Sequence, residues 1–293
     1  MANEFIIKNG FHSKGDSQIT GSLGVSGSLQ IQGFTNVSAS LAAKAEGTIL
    51  YENGTGTDSI KPVAGGNSAT GDCSVVGGGR QNQAVGPESV VGGGEHNCAC
   101  GGTVGVATIA GGYYNKILNT SGNSTIGGGS SNQICACSSG GNGCATIGGG
   151  KLNCIVTAGT EGVIAGGKSN CVANANASIG GGCANVASGG CSRVGGGCGN
   201  TASGNCTTVG GGTTNAASEC SSTIAGGKSN TTSACYSTIA GGISNNISGT
   251  DTCCSTIGGG SANTISGDTK KSEIVGGENN SITGTSNHLN FIG

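Results

Sequence analysis

Thirteen times between Val76 and Asn280 the chain sets an aliphatic residue six positions ahead of an asparagine, with two glycines in between. The aliphatic anchors are Val76, Val91, Ile109, Ile126, Ile147, Ile164, Ile179, Val194, Val209, Ile224, Ile239, Ile257 and Ile274. Their partners are Asn82, Asn97, Asn115, Asn132, Asn153, Asn170, Asn185, Asn200, Asn215, Asn230, Asn245, Asn263 and Asn280. Successive anchors lie 15, 17, 18 or 21 residues apart, so insertions enter the repeat without changing the six-residue step. Tolerance of that kind belongs to loops on one face of a solenoid.

A second apolar-to-small position recurs eight residues after the anchor, as at Ile117, Ile134, Ile155, Val172, Ala187, Ala202, Ala217, Ile247, Ile265 and Ile282. Paired glycines exclude a helical repeat, because each costs roughly 1 kcal/mol in a helix interior and helix-pair repeats need about 33 residues or more. Each repeat is therefore predicted to be one coil, with two short inward-facing strands joined by two turns. The glycine pair suits positive φ or close backbone approach. Asparagine is the other residue that tolerates the left-handed region. Stacked at ~4.8 Å, the asparagines are also expected to hydrogen-bond along the axis as a ladder. Thirteen such coils give a rod on the order of 60 Å long.

Composition narrows this picture. With 64 glycines among 293 residues and 3% aromatics the chain resembles disordered low complexity, but disorder has no reason to hold one register through interrupted copies. There is no Trp and there are only four Phe and four Tyr, so no wide core is available. The narrow lumen makes a lone roll marginal, and closed symmetric association into a homotrimer would bury further surface. The expected fold class is all-β: a left-handed parallel β-roll or solenoid of about 15-residue coils, intertwined or packed as a homotrimer, with a short fibrous N-terminal β segment.

Charged residues make up 9% and the net charge is −2, without a basic cluster for nucleic acid. No apolar run approaches the length of a membrane-spanning helix. The start, Met1 to Lys8, lacks the basic and apolar regions of a secretory signal, which leads to an expectation of cytoplasmic assembly even for a protein that works outside.

Residues 15–38 hold a shorter repeat, with Gly15, Gly21, Gly27 and Gly33 at six-residue intervals and Ile19, Val25, Ile31 and Val37 each four later. Four hexads are too few for an acyltransferase-type β-helix, and the shaft of a fibrous trimer is the better reading. Residues 39–46 suit a short helix. The stretch from Thr48 to Val63, with Asn53-Gly54 inside it, reads as a hairpin. The expected organisation is an attachment and shaft segment at 1–38, a linker, hairpin and cap at 39–72, the roll at 73–282 and a C-terminal cap at 283–293.

Phrases such as Ser255-Thr256-Ile257-Gly258-Gly259-Gly260-Ser261-Ala262-Asn263-Thr264-Ile265-Ser266-Gly267 resemble the trimeric β-roll of bacterial adhesin heads. They are still more similar to Gly/Asn-rich repeats in tail fibres and other virion appendages. The hexads are similar to fibre shafts. The resemblance implies a structural, non-enzymatic, homotrimeric fibre of a virus or phage particle, located in the virion and assembled in the host cytoplasm. Its N-terminus would meet other virion or baseplate proteins, and the rod would meet a host surface receptor or glycan. A bacterial surface adhesin or extracellular filament protein is the alternative, weakened by the absent signal, stalk and anchoring barrel. No aromatic cluster marks a receptor tip, so the longer coils at 100–108, 117–125 and 134–146 are the candidate recognition loops.

Sixteen cysteines invite chemistry. The one-residue spacing in Cys98-Ala99-Cys100 and Cys135-Ala136-Cys137 does not suit zinc. Four pairs, however, share a register one coil apart: Cys183 with Cys198, Cys191 with Cys206, Cys220 with Cys235, and Cys154 with Cys171. Equivalent Cα atoms ~4.8 Å apart fall inside the range a disulfide spans. Vertical staples and small semi-apolar filler both remain open readings. No acidic or Cys-His constellation recurs at a constant register, so no catalytic residues and no cofactor are expected. Asp is too sparse for calcium β-roll repeats. Thr at 108, 125, 146, 208, 223, 238 and 256 forms an outer ladder, but Val90, Val163, Ser178, Arg193 and Glu273 interrupt it, which disfavours an ice-binding face.

Overall fold

The computed structural model describes residues 50–101, 106–118, 123–135, 144–156, 161–249, 252–284 and 290–293. Among them there is no helix, and the chain is a β-solenoid made of two long sheets. One sheet has 16 strands and carries every anchor; the other has 14 and carries the positions eight residues later. Neighbours within each sheet come from successive coils and run parallel, as in Thr208 to Thr223 and Val209 to Ile224, or Ala202 to Ala217. Ile126, Ile147 and Ile164 stack in register, as the repeat predicts.

Most strands are two residues long, because the lumen accepts one side chain per strand. In Thr223–Ile224, for example, Thr223 is half-buried outside and Ile224 is fully buried. The core is two parallel files: Ile or Val throughout the first sheet, and Ile, Val or Ala in the second. Thr232 takes the second file's place in its coil and is equally buried. An Ala in place of Ile removes three carbons, about 2 kcal/mol of burial at ~0.8 kcal/mol per CH2.

The hairpin is present as Tyr51–Asn53 antiparallel to Ile60–Pro62, with Glu52 opposite Lys61. Those two side chains form an ion pair. The second strand of the hairpin is also the first parallel rung of the first sheet, pairing Ile60 with Val75. Tyr51–Asn53 thus covers the edge of that sheet, which suppresses pairing with another chain. At the other end Phe291–Ile292 pairs with Glu273–Ile274. The hexads, the short helix expected at 39–46 and the loops at 102–105, 119–122 and 136–143 lie outside the described residues.

Candidate functional surface

The asparagine ladder is built as much from backbone as from side chains. Asn200 donates its amide to the carbonyls of Gly196 in its own coil (2.8 Å) and Gly212 in the next (2.9 Å). Its backbone N–H donates to Asn185 Oδ1 (2.9 Å), and its own Oδ1 accepts from the Asn215 backbone N–H (3.0 Å). Direct amide-to-amide bonds occur at only some steps, such as Asn115 Nδ2 to Asn97 Oδ1 at 3.1 Å. The same backbone-to-Oδ1 contact links Asn82, Asn97, Asn115, Asn132, Asn153, Asn170, Asn185, Asn200, Asn215, Asn230, Asn245, Asn263 and Asn280 in one continuous file.

None of these asparagines has positive φ; the residue before each one does, at 54° to 58° wherever it is not glycine. That twist aims two successive N–H groups at the preceding coil, as where Ser229 donates to the Thr213 carbonyl (2.9 Å) and Asn230 to Asn215 Oδ1 (3.0 Å). Asparagine is required as the acceptor, not as the left-handed residue. The file also begins one coil earlier than the sequence suggests. Asn67 Oδ1 accepts from the Asn82 N–H (3.0 Å), but Lys61 stands where an aliphatic anchor would be, which hid this rung.

The two glycines do different work. The second of each pair, such as Gly197 at φ +87°, is pressed against the next coil, where a Cβ would sit 2.1 Å from the Gly212 carbonyl oxygen. The first glycine has no such neighbour. At Gly78, Gly166, Gly181, Gly196, Gly226, Gly241, Gly259 and Gly276 an added Cβ meets nothing within 4 Å, and at the five equivalent positions nothing nearer than 3.8 Å. Only Gly128 and Gly181 of these thirteen lie in the positive-φ region.

An aromatic cluster, not anticipated from the sequence, lies on the turn that carries the asparagines. Tyr114 stacks on His96 (centroids 4.4 Å apart, planes 18° apart), and Tyr113 meets Tyr114 edge-on at 4.5 Å. The residues come from different coils, and their equivalence at four and five positions after an anchor was the signal available in the sequence. Glu95 beside them pairs with Arg80 of the preceding coil and lies 3.5 Å from His96 Nε2. Burial, then the adjacent Tyr114, raises the Tyr113 phenol above its ordinary pKa. Tyr114 separates two grooves. One, of about 240 Å³, is lined by Gln81, Gln83, His96, Tyr114 and Lys116; the other, of about 260 Å³, by Tyr114, Lys116, Ser131, Gln133 and Leu152. An exposed ring flanked by amides, a hydroxyl and one ammonium can hold a ligand with an apolar face and a hydroxylated rim.

The four cysteine pairs stand in adjacent coils with their thiols free. Cys154 pairs with Cys171 in the second sheet, and Cys183 with Cys198 at the asparagine turn. Cys191 and Cys206 both take φ near +56° at the other turn. Only Cys220 and Cys235 share a thiol hydrogen bond, with sulfurs 2.8 Å apart. Burial first, then Cys171 and Cys135, pushes Cys154 up to about 11, and burial raises Cys171. Outside the expected set, the Cys98 and Cys100 sulfurs lie against each other on the outer face, flanking the inward Ala99 of a single strand.

Among the described residues no group of three or more His, Cys, Asp or Glu converges as a metal site. No helix there is long and apolar enough to cross a membrane. No known protein family matches the sequence, and no curated protein matches it significantly.

Proposed function

We propose that the protein is a non-enzymatic, homotrimeric fibre component of a virus or phage particle, a rigid rod used in host attachment. The observation that carries the trimer is the file of thirteen glycines from Gly78 to Gly276, eleven of which have neither a close neighbour nor a positive φ to require glycine inside one chain. A position kept free of Cβ along a whole rod is explained by another backbone lying close against it. Copies of this chain are the partner that repeats with the same spacing, and closed symmetric assembly is the common solution. The aromatic turn around His96 and Tyr114 is then the attachment surface for a host receptor or glycan, and the N-terminal segment joins other virion or baseplate proteins.

Sedimentation of the purified chain, with chemical crosslinking, tests the trimer. The wild type is expected to sediment as three copies, and Gly196→Leu with Gly226→Leu to give a folded monomer, since a single chain has room for both side chains. A monomeric wild type overturns the proposal. Immunolabelled negative-stain microscopy of the source tests the virion: labelled fibres projecting from particles support it, and labelled pilus-like filaments without capsids transfer the protein to the bacterial surface class.

A further inference from the structure

The second file of the core is thin in two places. One runs through Ala69, Ala84 and Ala99, the other through Ala187, Ala202, Ala217 and Thr232, whereas Val172 and Ile247 flank the latter. In the first thin stretch, side chains clamp successive coils from outside, through Arg80 to Glu95 and His96 to Tyr114. In the second, three pairs of cysteines stand coil above coil on the outside: Cys183 with Cys198, Cys191 with Cys206 and Cys220 with Cys235.

We infer that Cys220 and Cys235 are a redox staple, open in a reducing cytoplasm and closed outside it, that locks the thin-cored coils together. Their positions are equivalent in consecutive coils, 15 residues apart, and their sulfurs already touch at 2.8 Å, so closure needs only a small approach. Cys235 also opens onto a cleft of about 700 Å³ lined by Glu219, Ser233, Thr252, Cys253 and Lys270, through which a small reagent reaches it. The oxidant is a low-molecular-weight disulfide, RSSR. The Cys235 thiolate attacks one sulfur of RSSR, the S–S bond breaks and RS⁻ leaves to take up the thiol proton as RSH. The Cys220 thiolate then attacks the Cys235 sulfur of the mixed disulfide and expels RS⁻, which takes up the proton lost by Cys220 as the second RSH. The two protein thiols lose two electrons, and RSSR gains them as two RSH. The hydrogen bond with Cys220, then burial, pushes the Cys235 thiol up to about 11, so closure speeds up in alkaline buffer as thiolate forms.

The inference rests on the solenoid alone and not on the virion reading. The test treats the folded, reduced protein with oxidised glutathione in mildly alkaline buffer, then maps it without reduction by mass spectrometry. Hydrogen exchange is measured on the same samples. The expected result is a linked pair of peptides carrying Cys220 and Cys235, loss of two alkylatable thiols, and severalfold slower exchange across residues 216–239. In Cys220→Ser, and separately in Cys235→Ser, oxidation should leave that exchange unchanged. Persisting free thiols at both positions overturn the inference, as does a bond from Cys235 to Cys253 or a bond formed without slower exchange. A trimer by sedimentation with both thiols free would remove the staple and keep the fibre.

Discussion

Each coil turns twice, and one turn repeats its bonds at every step while the other does not. At the asparagine turn the N–H groups of two successive residues reach the preceding coil, one meeting a backbone carbonyl and the next an Asn Oδ1, as at Thr214 to Cys198 (2.9 Å) and Asn215 to Asn200 (3.0 Å). At the other turn a left-handed residue also reaches back, as where Cys191 donates to the Ala175 carbonyl (2.9 Å). The following residue closes a bond inside its own coil where the repeat is 15 residues long, as in Ser192 to Gly189 at 3.2 Å and Ser222 to Glu219 at 3.3 Å, whereas in longer coils Ser255 reaches back to Ser237 Oγ (3.3 Å) and Ser272 to Ser255 Oγ (3.2 Å). A turn tied on every side to its neighbours admits no change of length. The other turn has no acceptor repeated at every step, its partner changing from a carbonyl in its own coil to a serine hydroxyl of the preceding one, so it can grow. Six residues lie between Ile147 and Cys154, and the same number follows each of the thirteen anchors, whereas the span from Ile134 to Thr146 has stretched well beyond that from Val172 to Ser178.

Insertions probe the contrast most severely. Two residues added after Cys198 are expected to abolish cooperative folding, because every acceptor above and below is displaced. The same two added after Gly190 should cost less than about 1 kcal/mol, in line with slow growth of loop-closure entropy. Urea denaturation followed by circular dichroism compares them, and equal losses would erase the distinction between the turns.

Removing one rung comes next. Asn200→Ala deletes two donated bonds and two accepted ones, from the Asn215 backbone N–H and Nδ2, and leaves the buried Asn215 N–H without its acceptor. At ~1 kcal/mol per bond plus the orphaned donor, a loss of about 5 kcal/mol is expected in the same denaturation experiment. Ser192→Ala at the variable turn is the counterpart. Its buried hydroxyl has no protein partner, so the substitution should shift stability by less than about 0.5 kcal/mol, upward if at all.

Between those extremes lies a pair of neighbouring glycines. Gly197→Ala should cost about 3 kcal/mol, since a Cβ meets the Gly212 carbonyl and the Asn200 amide at positive φ. Gly196→Ala should leave the isolated coil's stability within about 0.5 kcal/mol and act on association instead. Thermal unfolding and sedimentation of both variants separate fold from assembly. A large thermal loss in Gly196→Ala would place that glycine's role inside the chain.

The repeat made the architecture legible because a fixed step between Ile224 and Asn230 can be read without knowing any contact. The coil that starts at Lys61 stayed hidden, since its rung, Asn67, has no aliphatic anchor ahead of it, and its place in the file depends on stacking under Asn82. The aromatic site was harder to see for the same reason. His96 and Tyr114 are 18 residues apart, and an inserted loop obscures their equal offset from Val91 and Ile109.

Periodicity in the chain was sufficient to set two inward files, two turns per coil and the constant asparagine, because burial of one side chain per strand repeats wherever the coil repeats. Which sulfurs touch, which glycine is crowded and which faces empty space, and which residue carries the left-handed φ were decided only when the coils stacked. Those properties depend on the direction of N–H and C=O groups across a gap between coils, and a linear pattern of residue types holds no information about that direction.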